Sequence, residues 1–392
     1  MTKMLTKQFI LLCIFVLTSF NLSAKWYQGQ ATVPVSTFNL EEGRTYAIKA
    51  AIANATLQSG SFISIEEITL DGLLTSSKTT LTSHTSIRRV EILSEQLLDE
   101  ILKVTVNVDV AQVENCPEAK YKKSLLVSLM AVSSPRQAAQ GNIFNLGQHV
   151  TSKLAEQLST QAGIYVNGVV MSPVLSIDQL NAIKLSTLQS KGDYLQQSYG
   201  SQLVLLGYIR DIGLFSQQKK GLILDDSKNR RNFTLELVLY DTVYQQILLK
   251  QSYHGEADWP YDDSYSADLT NSLFWRNNFG RMIINTLSHA VTDVQDKISC
   301  LPMFARVLQQ SPRGLYIDAK QVQGINQYDR FELVKRHEIL DYQSNTQVML
   351  MPEKAQTFKA VQVNPVLAEL VPSEETQLTS VVGDYVIPIF HH

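Results

Sequence analysis

One stretch of the chain gathers groups that could do chemistry. Glu256, Asp258, Asp262, Asp263 and Asp268 lie beside Trp259, Tyr261 and Tyr265. Carboxylates next to aromatic rings are the material of a sugar site. A glycosidase needs two carboxyl groups facing each other across the scissile bond. A single acidic loop supplies no second carboxylate from a facing element. The stretch therefore reads as a solvated loop ahead of a helix, with a glycan-binding or hydrolytic role as the alternative. A second charged stretch places Lys219-Lys220 and Arg230-Arg231 on either side of Leu222-Ile223-Leu224. It reads as an exposed basic hairpin tip, suited at most to a phosphate or an acidic partner.

No other constellation supports catalysis. His84, His149, His254, His289 and His337 are scattered, without ligand spacing. The chain has no H-E-x-x-H, no zinc-type cysteine cluster, no calcium loop, no P-loop and no G-x-S-x-G elbow. Neither a cofactor nor a metal is expected, and the chain reads as a non-enzyme.

Its cysteines point to export. Cys13 lies inside an apolar run, Phe9 to Phe20, that follows Lys3 and Lys7 and precedes Leu22-Ser23-Ala24. A basic start, a short apolar run and a small residue form a secretory signal, with cleavage expected between Ala24 and Lys25. The run falls short of the about 20 residues that span a bilayer. Cys116 and Cys300 then remain, and two cysteines in an exported protein allow one intramolecular disulfide. Cys116 precedes an apolar strand and Cys300 follows a helical run, so a bridge would clamp both ends of the segment between them. Loop-closure entropy gives such a bridge roughly 5 kcal/mol.

The elements that must hold these groups follow from composition and periodicity. The chain has 392 residues, 44% hydrophobic and 18% charged, with a net charge of -3. That excludes a disordered chain and a strongly basic nucleic-acid binder. Four blocks are expected: a signal at 1–24, a small α+β domain at 25–115, an α/β domain at 116–300 and an all-β barrel or sandwich at 301–392.

In the second block, Leu40 to Gln58 reads as a helix with Tyr46, Ile48, Ala51, Ile52 and Ala55 on one apolar face. Phe62 to Ile65 starts a strand region. Ile87 to Leu93 is a strand, and the strict alternation of Leu102, Val104, Val106, Val108 and Val110 makes another. In the third, Ser124 to Val132 reads as one buried strand, followed by a loop at Ser133-Ser134-Pro135. Leu146, Val150, Leu154, Leu158 and Ala162 mark a helix, Ile164 to Val170 a strand and Asp178 to Gln189 a helix. Gln202 to Ile209 is a strand. Phe233 to Leu239 and Ile247 to Tyr253 form a hairpin. Phe279 to Ile298 is a long closing helix. In the fourth, short strands at 314–317, 331–334, 346–351, 358–363, 366–371 and 385–389 are separated by glycine and proline.

Three features in series carry a resemblance. They are Lys25-Trp26-Tyr27 running to the alanine-rich Tyr46 to Ala55, the pair Ile87 to Leu93 and Leu102 to Val110, and Gly324 to Val334 (GINQYDRFELV). Together they resemble the flagellar assembly protein T family, periplasmic components of the sodium-driven polar flagellar motor. The resemblance implies a middle domain similar to the amino-terminal domain of the Tol-Pal translocation protein B. It also implies a structural role in the H ring around the LP ring, support of T-ring and stator assembly, and self-association into a ring on the basal body. It offers no catalytic residues and does not assign the contact surfaces.

Overall fold

The computed structural model describes residues 25–34, 40–58, 87–98, 100–110, 120–219, 226–262, 265–299, 301–319, 322–340, 346–373 and 382–389. The expected strand region at Phe62 to Ile65 lies outside them, as do Ala24, His84, Cys116, Asp263 and Cys300. The chain divides into two compact units, one ending near Val113 and one holding the remainder to the C-terminus.

The first unit contains β1 (Lys25–Pro34), α1 (Leu40–Gln58), β2 (Ile87–Leu98) and β3 (Ile101–Val110). The strands form an antiparallel sheet in the order β1-β3-β2. Leu102, Val104, Val106 and Val108 of β3 are all buried, as their alternation predicts. Helix α1 departs from the expected single apolar face: Ala47, Ala50 and Ala53 are buried along with Ile48, Ala51, Ile52 and Ala55. A helix buried on more than one side can afford only small residues where a sheet comes close. Gly29 of β1 meets it there, where an added Cβ would lie 2.0 Å from the Ala51 carbonyl oxygen and 2.8 Å from the Ala55 Cβ.

The second unit begins with β4 (Lys122–Ser128), β5 (Ala131–Val132), α2 (Pro135–Ala139), α3 (Leu146–Ser159) and β6 (Ile164–Val170). Next come α4 (Ile177–Asn181), α5 (Leu185–Tyr199), β7 (Leu203–Asp211), β8 (Leu214–Lys219), β9 (Asp226–Asp241) and β10 (Gln246–Asp258). Helices α6 (Ser272–Arg276) and α7 (Asn278–Ser299) close this part. The mixed sheet runs β10-β9-β7-β4, with β6 parallel to β4 and the β9–β10 hairpin antiparallel. One face is covered by α3 and α7, whose Val150, Leu154, Leu158, Ile283, Leu287, Ala290 and Val294 join the largest core. The other face carries α4 and α5 over Val204, Leu206, Val238 and Tyr240.

Several expectations are corrected here. The apolar run at Ser124 to Val132 is two strands, because the Met130 N–H leaves the ladder and donates to Thr151 Oγ1 at 2.9 Å. The expected loop at Ser133-Ser134-Pro135 starts a helix instead: Ser134 caps α2 by accepting from the Gln137 N–H, and Pro135 takes the first turn. The helix expected over Asp178 to Gln189 is two. Ser176 and Gln179 form a capping box for α4, Ala182 leaves helical geometry, and α5 runs on to a left-handed Gly200.

The remainder forms β11 (Ala305–Ser311), β12 (Gly314–Asp318), β13 (Val322–Gln323), β14 (Arg330–Leu340), β15 (Thr346–Val363), β16 (Leu367–Pro372) and β17 (Tyr385–Pro388). Six of these close a barrel in the order β11-β12-β16-β15-β14-β17, filled by Val307, Leu315, Ile317, Phe331, Leu333, Phe358, Leu370 and Val386. The two strands expected at 346–351 and 358–363 are one, with Pro352 at an irregularity in the pairing with β14. Strand β13 leaves the barrel and pairs with Lys122 and Lys123 of β4. The architecture is a mixed α+β multidomain chain with a curled mixed sheet and a C-terminal barrel.

Candidate functional site

The acidic and aromatic stretch is brought together with the basic one, but as a packed assembly. Strand β9 places Arg231 inward, and its side chain has no exposure. Its guanidinium lies 4.1 Å from the Trp259 ring centroid and 5.9 Å from that of Phe279. Nε donates to the Ile212 carbonyl at 3.0 Å, and Nη2 donates to the carbonyls of Gln137 and Gln140 at the end of α2. Burial pulls its pKa down to about 10, so it stays charged at neutral pH. Gly141, at φ 88°, makes room: a Cβ there would come within 2.6 Å of the Trp259 ring.

This overturns the exposed basic tip for Arg230 and Arg231. Arg231 is a core residue, and Arg230 Nε and Nη1 donate to Glu256 and Asp258 at 2.6 and 3.0 Å. Residues 220–225 lie outside the described chain.

The reading of the stretch as a solvated loop holds for Asp262, Tyr265 and Asp268, which are exposed, and is corrected at Trp259. Trp259 is 4% exposed and is ringed edge-on by Tyr261, Phe274 and Phe279. A buried indole has no face to offer a sugar. Tyr261 stacks on Tyr265 at 4.4 Å. Glu256 and Asp258 both pair with Arg230, and Asp268 accepts from the Thr270 N–H and hydroxyl. Those two hydrogen bonds hold the Asp268 carboxyl below its ordinary value. Glu256, Asp258 and Asp268 are thus engaged within the fold.

The histidines stay apart. His149 lies on α3 near Trp275, His254 on β10 beside Thr234 Oγ1, His289 on α7 and His337 on β14. Among the described residues no group of three metal-ligating side chains occurs, and no helix is long and apolar enough to cross a membrane. Lys25 opens β1.

What the described residues do offer is surface and a joint. In the first unit, Ile92, Leu93, Leu97 and Leu98 of β2 are exposed, Leu98 at 53%. In the second unit the sheet meets the barrel through the β9–β10 turn. Val243 and Tyr244 pack against Phe304, Val334, Tyr385 and Ile387. Gln202 accepts from the Phe304 N–H and donates to the Pro302 carbonyl. Gln196 of α5 donates to the Tyr385 hydroxyl, and Arg336 Nη2 reaches Asp193 at 3.2 Å. Lys120 pairs with Asp329 at 2.6 Å across the other side. A cavity of about 570 Å³ opens beside this junction, lined by Tyr165, Gln323, Ile325, Asn364 and Pro365 among others. Sequence reasoning missed the joint because its parts are single polar residues in separate elements. Asp241-Thr242, visible as a hairpin turn, was its one signal.

Comparison with known proteins gives two matches of one family in chain order. Residues 25–112 match the N-terminal domain of flagellar assembly protein T, and residues 114–269 match its middle domain. No curated protein matches the chain. Solved structures give partial likenesses. The hypothetical protein CT253 from Chlamydia trachomatis is 9% identical, covering 45% of this chain and 98% of its own at a TM-score of 0.30. The PelC dodecamer from Paraburkholderia phytofirmans is 14% identical, covering 47% and 91% at 0.23. Lipoprotein GNA1162 from Neisseria meningitidis is 15% identical, covering 45% and 98% at 0.23.

Proposed function

Because the chain belongs to the flagellar assembly protein T family, we propose that it is a non-enzymatic periplasmic building block of the flagellar basal body. In this reading it assembles the H ring around the LP ring, associates with further copies of itself there, and supports the T-ring proteins that hold the stator. The observation that carries the reading is the pair of family matches, consecutive and in order from residue 25 to residue 269. The packing agrees with it, since Arg231, Arg230, Glu256 and Asp258 are engaged within the fold around Trp259. Work done by surfaces needs a rigid body beneath them.

Two features of export belong to the same reading. The leader is removed between Ala24 and Lys25, and Cys116 and Cys300 form a disulfide. Supporting the bridge, Lys123 Nζ donates to the Ser299 carbonyl at 3.0 Å. Lys123, downstream of Cys116, thus lies at the helix end that precedes Cys300.

The experiment is deletion of the gene followed by swimming assays and electron microscopy of purified basal bodies. Lost or weakened swimming together with missing outer ring density is expected. Normal motility with intact rings overturns the proposal.

A further inference from the structure

The joint between sheet and barrel contains a carboxyl group in an unusual setting. Asp241 ends β9 and has no exposure. Its Oδ1 accepts from the N–H groups of Val243 and Tyr244 at 2.8 and 3.0 Å, which pins the turn that enters the joint. Its Oδ2 is buried with no hydrogen-bond partner among the described residues. The hydroxyl of Tyr240 and Oε1 of Gln245, in the same region, are buried without partners as well. No ion pair reaches Asp241 among the described residues.

The groups that face it come from every element around it. On its own hairpin these are Tyr240 and Tyr244, and from β17 Tyr385 senses its charge. Asp193 of α5, Arg336 of β14 and Arg306 of β11 complete the set through those tyrosines. The cation Arg336 is engaged by Asp193. A buried carboxylate with a bare oxygen and no cation partner is unfavourable, whereas the protonated acid is not.

We propose that this joint is a proton-controlled latch, in which neutral Asp241 holds the β9–β10 turn docked against the barrel and its ionisation loosens the barrel from the sheet. The step is a simple acid dissociation: the proton leaves Oδ2 for water and the carboxylate becomes hydrated as the joint opens. Burial raises the Asp241 carboxyl to about 7 from its ordinary 3.8. The docked joint therefore holds a proton that the opened joint releases. Docking is strongest at acid pH and is lost as pH rises through about 7.

Hydrogen exchange of the full chain, read as protection factors at pH 5.5 and pH 8.5, tests this. Linkage between these two carboxyl values gives roughly thirtyfold lower protection at the higher pH in β11, β17 and residues 242–245. Strand β6 and helix α3 serve as internal controls and keep their protection. In Asp241→Asn, a neutral side chain of the same shape, the joint should stay protected at both pH values. Equal protection of wild type at the two pH values overturns the latch, as does an unchanged pH response in Asp241→Asn. Should that variant not fold, the wild-type pair of measurements decides alone.

Discussion

The guanidinium of Arg231 lies over the indole of Trp259, with 4.1 Å between the Arg231 Cζ and the ring centroid. Both groups are almost wholly buried, and Nε and Nη2 donate to backbone carbonyls rather than to a carboxylate, while Nη1 is buried without a hydrogen-bond partner among the described residues. This arrangement sets the planar fork of arginine on three carbonyls and a ring face at once. Lysine would bring one compact charge that cannot reach three carbonyls and stack at once.

Arg231→Lys is therefore expected to cost about 2–4 kcal/mol, and Trp259→Ala about 3–5 kcal/mol. The neighbouring Arg230→Ala, which removes half-exposed ion pairs, should cost below about 1 kcal/mol. Urea unfolding midpoints of the three variants check the order. An Arg230→Ala loss equal to that of Arg231→Lys would show that the buried fork has no special weight.

The first unit has its own sensitive contact. Gly29 lets β1 approach α1 until a Cβ would sit 2.0 Å from a helix carbonyl. Gly29→Val must push strand and helix apart and should cost about 3 kcal/mol. Hydrogen exchange should show the loss in β1, β3 and α1. A variant as protected as wild type would refute the close packing.

Lys123 gives a pH signature distinct from that of Asp241. Burial lowers its amine to about 8, against 10.5 when exposed. The folded chain thus binds fewer protons than the unfolded chain between those values, and stability should rise with pH across that window. Between pH 8 and 9.5 wild type should gain roughly 1–2 kcal/mol relative to Lys123→Met, whose curve lacks this term. Denaturation at a series of pH values measures the difference; parallel curves would rule it out.

The disulfide is checked by mass. Alkylation of the unreduced, denatured exported protein should add nothing at Cys116 or Cys300, while prior reduction should allow two labels. Cys116→Ser should lower stability by about 2–5 kcal/mol. Two labels without reduction would remove the bridge.

The sequence made the strongly periodic elements visible. Helix α1 was legible to its end residues; β3 was legible from its alternating valines and α7 from its stripe of Phe279, Ile283, Leu287, Ala290, Val294 and Ile298, each short of its observed extent. Strand β1 was hidden because its inward positions are Gly29, Ala31 and Val33, two of them too small to register as a hydrophobic pattern. Helix α2 was hidden behind Ser134-Pro135, which reads as a turn until the cap bond to Gln137 is known. That helix end supplies two of the carbonyls around Arg231, so missing it also meant reading a core arginine as a surface one. Charge on an isolated residue says little about burial when its acceptors are backbone groups from distant elements.

Strand β13 has a practical bearing on dissecting the chain. It is spelled by residues 322–323, well past the last helix of the sheet domain, yet it sits on Lys122 and Lys123 of β4. A fragment cut after Ser299, where the helices end, would lose that pairing at Lys122 and Lys123, while Leu125, Leu126 and Val127 stay held between β6 and β7. The damage would be a frayed corner of the sheet, so a boundary placed beyond Gln323 keeps the native pairing.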